Sequence, residues 1–549
     1  MGVTLLLVNL CTDTATDFFS SCFSGNLLSA TSFLGVSRKY LRKNSVAGVN
    51  TLTQSMFSDS NKVYIIRYEY ILGEDITIPA DCVLKFRGGR IGGAFTMTGK
   101  NTLVKAKRKQ IFETGIKLAG TWTSSESYPE WFGAKGNSFT DDRDSFNATL
   151  AVFNNVVLNG KSTYLISSND DIYPFLWMGI HIRSNTVIEG NGATLKAIPS
   201  SCGAYSIVSV VEKEDVVIRN VNFQGDSDSH PEQRMEWGDG VETRSAKNVR
   251  IEHCTFSGFI ADGILIAEHP DLSRHYSSDI EIVDCDIFTY GRNGISVIAG
   301  DGVRISNCRI GTAIGNWAPF GPWSCIDIEP DYATQPVTNI DIVGCVFDNN
   351  RIVNGVNSNF VYNIDNPSSS SVSISDCFGN GAFSVKGGRA NQYNNKHSLS
   401  ITSCQMGALT YESKAPVQTV VSNCRINHND NHVAIYIAEC VENSSLVIKD
   451  CVVDLQGNRV GVTDGNSVFY FGQLPKSSLY YGLVIDGIDV INGSIQSELI
   501  HIPEGSANLF DDRCRVRNIR IKCPVVENNR SVLANQVIPF DVSIDCDFL

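Results

Sequence analysis

Two carboxylates near the middle of the chain have the spacing of an acid–base pair. Asp327 and Glu329 lie two residues apart in the segment CIDIEP, residues 325–330. If this segment is a β-strand, both side chains leave it on one face, about 6.5–7 Å apart at their Cα atoms. Glycoside hydrolysis uses two carboxyl groups about 5–5.5 Å apart for retention or about 6.5–9.5 Å apart for inversion. The pair is therefore the first catalytic candidate, and the competing interpretation is an exposed acidic strand.

Two further aspartates, Asp239 and Asp262, each precede a glycine at the start of a predicted strand. On adjacent coils of a stacked structure they would be about 4.8 Å apart. Close carboxylates repel, which separates their pKa values and can leave one as a general acid; such a pair can also bind Ca²⁺. The alternative is turn chemistry, because Asp-Gly is a common corner and Asn293 occupies the same place in the next repeat. Glu242 completes the catalytic candidates.

Candidate substrate-binding residues flank these carboxylates. Arg244 and Arg292 can steady an acidic sugar, and the alternative is that they are ordinary solvent-exposed arginines of a strand. Two insertions, 268–278 and 311–324, supply the imidazole and aromatic candidates His269, His275, Tyr276, Trp317, Phe320 and Trp323. Aromatic rings offer apolar faces to sugars, and histidine can transfer protons. The alternative for the aromatic residues is packing, onto the body of the protein or against a subunit. The histidines lack metal-ligand spacing, so we predict no metal site.

Four segments that carry these residues can be set in register. They are 239–244 (DGVETR), 262–267 (DGILIA), 293–298 (NGISVI) and 324–329 (SCIDIE). Strand alternation directs the third and fifth residue of each segment inward. The inward residues are Val241, Thr243, Ile264, Ile266, Ile295, Val297, Ile326 and Ile328. The fourth and sixth residues then share the outer face, where Glu242, Asp327, Arg244 and Glu329 lie.

An internal repeat surrounds these strands. Eight cysteines recur at one position of a repeated apolar–polar pattern, at intervals of 20 to 37 residues: Cys254, Cys285, Cys308, Cys345, Cys377, Cys404, Cys424 and Cys451. Short alternating strands at this period predict an all-β fold, a parallel β-helix of about ten to twelve coils with loops in the longer ones. The cysteines become a column of buried free thiols, which suits synthesis in a reducing compartment. A leucine-rich repeat would need an L-x-x-L-x-L frame, and a β-propeller a steadier period.

The chain divides into three predicted parts. Residues 1–37 lack Lys and Arg and are expected to be a poorly ordered leader, because a signal peptide needs a basic start. Residues 38–125 are predicted to be a small β-rich attachment module with glycine turns. Residues 126–549 are predicted to form the β-helix, which becomes less regular from about 455.

A capping helix is predicted at the start of the β-helix. Asp141 and Asp142 can cap it, and its apolar face carries Phe146, Leu150 and Phe153. Such a helix would cover the core that the first coil otherwise exposes.

Composition excludes several functional classes. The chain has 549 residues, a net charge of -13 and 19% charged residues. A general nucleic-acid binder needs a basic footprint, so a polyanion could bind only through a local patch. No apolar run reaches the roughly 18–20 residues of a membrane span. Motifs for serine hydrolases, P-loop NTPases and zinc proteases are missing from the sequence.

Two segments carry a resemblance to known proteins. The run YPEWFGAKGNSFTDD (128–142), together with CIDIEP, resembles the pectate-lyase-like right-handed parallel β-helix superfamily, with Asn137-Ser138 in place of its usual Asp-Gly. Residues 38–57 and YIIRYEYIL (64–72) resemble N-terminal modules of phage tailspike and tail-fibre proteins. The resemblance implies a right-handed helix, a polysaccharide ligand and a homotrimer. It also implies assembly in the host cytoplasm into a virion tail, with other tail proteins bound through 38–125; the alternative location is extracellular, by secretion.

The leading functional hypothesis is a tailspike-like polysaccharide depolymerase that hydrolyses glycosidic bonds without a cofactor. Carboxylates are more numerous than lysines in the predicted groove, which favours hydrolysis. The first alternative is a non-catalytic, receptor-binding tail protein. A further alternative is a polysaccharide lyase. The resemblance then implies Arg244 or Arg292 as the base, with Ca²⁺ as the cofactor.

Overall fold

The computed structural model contains two compact units. The smaller unit comprises the described residues up to Lys107 together with Gly115–Thr123, and the larger unit comprises Arg108–Thr114 and the described residues from Ser124 onward. The structure describes residues 37–45, 48–168, 170–173, 176–199, 204–230, 237–269, 275–313, 321–332, 334–348, 352–353, 356–364, 369–387, 397–413, 415–428, 433–460, 467–472, 480–496, 498–502, 510–523 and 544–546. The predicted leader, 1–37, lies outside these residues except for Ser37.

The smaller unit is itself a short parallel solenoid. Its first sheet consists of Arg38–Tyr40, Val63–Ile66, Val83–Phe86 and Thr96–Lys105, with Ile76–Thr77 and Lys117–Thr123 paired to the last of these. Its second sheet consists of Asn50–Leu52, Glu69–Leu72 and Arg90–Gly92, and a 3-10 turn spans Gln54–Met56. Every strand pair in both sheets is parallel. The attachment role of this region stays a prediction.

The larger unit winds through three faces, of which the first, called the site face, carries the candidate residues. Its strands are Asp170–Tyr173, Leu176–His181, Ser206–Val211, Asp239–Arg244, Ile264–Ala267, Ile295–Val297, Ile326–Ile328, Val356–Ile364, Ala382–Gly387, Ala408–Ser413, Ile435–Cys440, Phe469–Phe471 and Ile500–His501. The first strand is antiparallel to the second, and the remaining twelve follow one another in parallel. This pairing confirms the predicted parallel β-helix.

The other two faces complete each coil. The second face consists of Asn155–Val157, Thr186–Glu189, Glu214–Arg219, Lys247–Glu252, Ser277–Val283, Gly300–Ser306, Val337–Val343, Ser370–Ser375, His397–Thr402, Val417–Ser422, Ser445–Asp454, Leu483–Ile491, Arg515–Lys522 and Ile544–Cys546. The third face consists of Asn137–Asp141, Thr163–Ile166, Thr194–Ala197, Asn222–Gln224, Thr255–Phe259, Asp286–Tyr290, Arg309–Gly311, Val346–Asp348, Phe378–Gly379, Gln405–Met406 and Arg425–Asn427. Two short pairs lie in loops, Ile352–Val353 against the site face and Arg459–Val460 with Ser494–Ile495.

The cysteine column lies at the corner between the second and third faces. The thirteen cysteines whose side chains the structure describes are free and buried, as predicted for this column. The residue before each column cysteine has a positive φ of 51° to 63°: His253, Asp284, Asn307, Gly344, Asp376, Ser403, Asn423 and Asp450. Asn, Asp and Gly tolerate this left-handed conformation best. The corner therefore explains why a small polar residue or glycine so often precedes the cysteine.

The predicted capping helix spans Arg143–Leu150. Its apolar side chains are buried, and Phe146 meets Tyr164 of the first coil edge to face at 5.2 Å. The predicted cap by Asp142 is wrong: this residue occupies the N-cap position, but its carboxylate accepts from the N–H groups of Lys135 (2.6 Å) and Gly136 (2.9 Å). The charge of Asp142 thus fixes the preceding turn. None of the helices in the described ranges has the length and apolar character needed to cross a membrane.

Candidate active site

The strands of the site face have the register that the sequence predicts. Val241, Ile264, Ile295 and Ile326 are partners in successive strands, and all four are fully buried in the core. The next position, on the opposite side of the sheet, contains Glu242, Leu265, Ser296 and Asp327. Asp327 is nevertheless only 1% exposed. The expectation of an exposed acidic strand is therefore wrong for this residue, because its surroundings remove it from water.

The turn before each strand forms a ladder of side-chain hydrogen bonds. The Oδ1 atom of Asp239 accepts from the N–H of Asp262 (3.1 Å), and the Oδ1 atom of Asp262 accepts from the N–H of Asn293 (2.9 Å). Asn293 Oδ1 accepts in turn from the N–H of Ser324 (3.1 Å). One oxygen of each aspartate thus has the structural role expected of turn chemistry. The second oxygen of each carboxyl is left for other contacts.

The second oxygen of Asp262 points into a polar network. Asp262 Oδ2 accepts from Ser296 Oγ at 2.6 Å and lies 3.6 Å from Arg292 Nη1. Burial raises the pKa of Asp262, against the opposing effect of the Arg292 charge. Burial raises the pKa of Asp239 well above its ordinary value, and the negative charges of Asp262 and Glu242 raise it further. Asp239 Oδ2 is buried without a hydrogen-bond partner, as an un-ionised carboxyl can be at lower cost than a carboxylate.

Asp327 has the environment of a protonated acid. Its Oδ2 atom accepts from Asn293 Nδ2 at 3.2 Å, whereas its Oδ1 atom is buried and accepts no hydrogen bond. Burial raises the pKa of Asp327 well above its ordinary value, and the negative charge of Glu329 raises it further. A protonated Oδ1 resolves this arrangement, because its O–H can donate to Glu329.

Glu329 is held as the carboxylate partner. It accepts from Arg292 Nη2 at 2.9 Å and from Asn363 Nδ2 at 3.0 Å. Its side chain is 26% exposed, so it reaches the surface that Asp327 does not. Arg292 lies between Glu329 and Asp262 and links the predicted pair to the turn ladder. We call Asp262, Arg292, Ser296, Asp327 and Glu329 the acid cluster.

Glu242 and Arg244 form a separate, saturated arrangement. Glu242 is fully buried; its Oε1 atom accepts from Ser206 Oγ (3.0 Å) and Ser209 Oγ (2.7 Å), and its Oε2 atom accepts from Arg244 Nε (2.8 Å). Arg244 Nη1 also donates to the carbonyl oxygen of Glu268 at 3.1 Å. Both oxygens of Glu242 thus have donors already. This ion pair, the Glu242 cluster, has the features of a structural element.

The loop candidates have different surroundings. His269 is buried, with its backbone N–H donating to Ser245 Oγ (3.0 Å), whereas His275 is exposed and Tyr276 half-buried. Trp323 packs against the hydrophobic core, which favours the packing alternative for this ring. Trp317 and Phe320 lie outside the described residues.

Sequence reasoning did not select several residues of this region. Ser296 shares the strand position of Asp327, so its register was a usable signal. Asn363 comes from a strand 34 residues further on, after a loop of irregular length, and only the fold brings it to Glu329. A buried pair, His230 Nδ1 and Asp226 Oδ2 at 2.8 Å, lies beside Tyr205, next to the Asp239 end of the turn ladder. Asp226 and His230 lie in a loop, where the sequence has no periodic pattern from which their positions could be predicted.

The described residues contain no group of three or more His, Cys, Asp or Glu side chains suited to hold a metal ion. The arrangement as it stands offers proton chemistry: a buried acid beside a carboxylate fixed by an arginine. Environments that push two carboxyl pKa values apart assign one as acid and the other as base or nucleophile. In the acid cluster burial raises the pKa of Asp327, and Glu329 beside it accepts hydrogen bonds from Arg292 and Asn363.

Comparisons with known proteins place the chain among poorly characterised relatives. No protein-family model matches it. It is 28% identical over 247 residues to the uncharacterized protein YclG of Bacillus subtilis, and the match covers 41% of each chain. It is also 28% identical over 185 residues to the SPbeta prophage-derived uncharacterized protein YorA of the same organism, with 31% of each chain covered. The matches thus span less than half of either relative.

Among solved structures, the A-module of mannuronan C-5 epimerase AlgE6 from Azotobacter vinelandii superimposes with a TM-score of 0.42 and 13% identity. The match covers 76% of this chain and 97% of that module. The strand pairing of the present chain defines its fold independently: it is an all-β, parallel β-helix protein.

Proposed function

We propose that the protein hydrolyses glycosidic bonds of a polysaccharide, with Asp327 as general acid and Glu329 as base or nucleophile. The observation that carries the proposal is the raised pKa of a buried carboxyl, Asp327, directly beside a carboxylate held by Arg292 and Asn363. A raised pKa keeps the proton that a leaving-group oxygen needs at neutral pH. The partial exposure of Glu329 gives substrate access to one end of the pair.

The separation of Asp327 and Glu329 determines whether a glycosidic bond can fit between the two carboxyl groups. Asp327 and Glu329 lie two positions apart on one strand and leave it on one face, which puts their Cα atoms about 6.5–7 Å apart. This spacing lies in or near the roughly 5–9.5 Å range of glycosidase carboxyl pairs. The burial of Asp327 beside the charge of Glu329 supports a resting state in which Asp327 keeps its proton.

The decisive assay uses the full chain and a panel of capsular, host-surface and plant polysaccharides. Reducing ends and the absorbance of unsaturated products are recorded together. New reducing ends without unsaturation support hydrolysis. Unsaturated products would replace it with a lyase, directing attention to Arg292, Arg244 and Ca²⁺, and a chelator would then abolish turnover. Asp341→Asn, an exposed aspartate on the second face of the same coil, is the control for Asp327→Asn.

A second function, glycan binding without catalysis, is favoured by one observation: Asp239, Asp262 and Asp327 are each only 1% exposed. In that case the site face would serve a tail protein as a receptor-binding surface. The prophage origin of the relative YorA supports a place in a virion, and assembly as a homotrimer with other tail proteins belongs to the same proposal. Saturable binding of a polysaccharide that releases no product would decide for this function.

A further inference from the structure

The smaller unit differs sharply in charge from the chain as a whole. Its sequence, 37–107 with 115–123, contains thirteen Lys and Arg against five Asp and Glu, a net charge of +8, whereas the whole chain has -13. Such an excess on about eighty residues creates a local positive potential that the acidic composition of the chain conceals.

The basic residues are ordered by the solenoid. Strand register pairs Tyr40 with Ile65, Ile66 with Phe86, and Lys85 with Lys105. Tyr40, Ile65, Lys85 and Lys105 are thus in register, and the position two residues further along each coil is basic and exposed. These basic residues are Arg42, Arg67, Arg87 and Lys107. Neighbouring parallel strands are about 4.8 Å apart, so the charges recur at that interval along a line. Lys85 and Lys105 lie one outward position away. We call these six residues the basic stripe.

Acidic residues are kept away from this surface. The six strands of the first sheet contain no Asp or Glu. The five acidic residues of the unit lie in turns or in the second sheet, and each has a partner there. The pairs are Asp59 with Lys62, Glu69 with Arg90, Glu74 with the N–H of Gln54, Asp75 with the N–H of Thr96, and Asp81 with Asn101. The positive charge of the stripe is therefore not neutralised by carboxylates of its own sheet.

We propose that the basic stripe binds an acidic polysaccharide, a linear chain with a carboxylate or sulfate repeated along it. A straight row of cations at a fixed interval complements a polymer with regularly spaced anions better than the irregular charges of a folded protein. Single-stranded nucleic acid would also need open aromatic faces for base stacking. Beside the stripe, the Arg67 guanidinium already occupies one face of the Tyr40 ring, 4.5 Å from its centroid, and Lys43 Nζ lies over the Tyr68 ring at 5.0 Å. The polysaccharide class rests on the proposed function, whereas the stripe itself does not.

The test compares two triple variants of the full chain that lose the same charge. Arg42→Gln/Arg67→Gln/Arg87→Gln removes part of the stripe, and Arg304→Gln/Arg309→Gln/Arg517→Gln removes three exposed arginines of the larger unit. Affinity for hyaluronan, dextran and oligo-dT is measured by titration calorimetry at low and moderate salt. We expect wild type to bind hyaluronan but not dextran, with at least a tenfold loss of affinity in the stripe variant and less than a twofold loss in the control. Added salt should weaken the wild-type interaction most.

Three outcomes would overturn the proposal: no binding of hyaluronan by wild type, equal loss in both variants, or stripe-dependent binding of oligo-dT that exceeds that of hyaluronan. The last would reassign the stripe to nucleic acid. Thermal midpoints show whether each variant is folded. Reducing-end release from the whole polysaccharide panel, measured on the same preparations, tests the proposed hydrolysis separately. Hyaluronan binding together with no release from any polysaccharide of the panel would sink the enzyme assignment and leave the stripe intact.

Discussion

Two buried carboxylates on the same side of the site face have opposite surroundings. Glu242 and Asp327 occupy one strand position, three coils apart or about 14 Å along the axis. Glu242 receives two serine hydroxyls and an arginine, so both of its oxygens have donors. Asp327 has one donor, a carboxylate neighbour and an oxygen that accepts nothing. The carboxyl of Glu242 is thus fully hydrogen-bonded, whereas that of Asp327 is buried with a raised pKa, the environment that the proposed function requires of its acid.

The largest difference between the two residues should appear in turnover. Asp327→Asn keeps the shape of the protonated acid: its Nδ2 can donate to Glu329 and its Oδ1 can accept from Asn293. The variant should therefore fold normally but lose its proton donor, with about a 10²–10⁴-fold lower kcat on the polysaccharide that wild type cleaves. Initial rates of reducing-end release measure this loss.

Glu242→Gln and Asp341→Asn are the controls, and both should retain turnover within a few-fold of wild type. If Asp327→Asn remains as active as they are, Asp327 is not the acid. If all three variants lose activity together with their thermal transitions, the loss reflects unfolding and not chemistry. The comparison must then rest on Glu329→Gln, which retains the hydrogen bond from Arg292 through its amide oxygen.

The second prediction concerns stability. Arg244→Ala leaves the fully buried carboxylate of Glu242 without its charge partner, and breaking a buried pair in this way costs about 3–5 kcal/mol. Urea denaturation of the full chain should show the loss as a lower transition midpoint. The double variant Arg244→Met/Glu242→Leu, which removes both charges, should recover much of it; equal instability of single and double variants would show that packing, and not charge, holds this region.

The sequence was sufficient to predict the repeat, the register and the outward position of Asp327 because these follow from a period of two residues. The sequence also contained the signal for the left-handed corner, since Asp284, Asn307 and Asn423 precede their cysteines at positions of positive φ. The depth of Asp327 was not predictable. Alternation says which side of a sheet a residue faces, but burial on the outer side depends on loops and on partners such as Asn363, whose strand is the next one in the sheet but follows an insertion that hides its register in the sequence.

The third prediction is a pH dependence that distinguishes the two carboxylates. Because the folded-state pKa of Asp327 lies above its unfolded value, the native state keeps a proton that the unfolded chain has lost. The stabilisation that this proton contributes is complete below about pH 4. Between the unfolded-state pKa and the raised folded-state pKa, it declines by about 1.4 kcal/mol for each unit of pH. Asp327→Asn cannot lose this contribution, so it should become more stable relative to wild type between pH 4 and 8.

Urea transitions at several pH values measure the difference in the free energy of unfolding between wild type and Asp327→Asn. Asp239 and Asp262 contribute similarly in both proteins, so their contributions cancel in this difference. A stability difference that stays constant with pH would mean that Asp327 is ionised in the folded protein. That result would also remove the stored proton from the proposed mechanism.

The smallest effects should come from single hydroxyls, and they provide the most direct comparison. Ser209→Ala removes one of the two serine donors to Glu242, and Ser296→Ala removes the donor to Asp262. Each should lower the free energy of unfolding by about 1 kcal/mol, the net value of one hydrogen bond. Turnover should separate them: Ser296 links Asp262 to Asn293, which donates to Asp327, so only its loss should alter kcat and the pH at which activity declines. Equal kinetic behaviour of the two variants would show that the network around Asp327 is as purely structural as the one around Glu242.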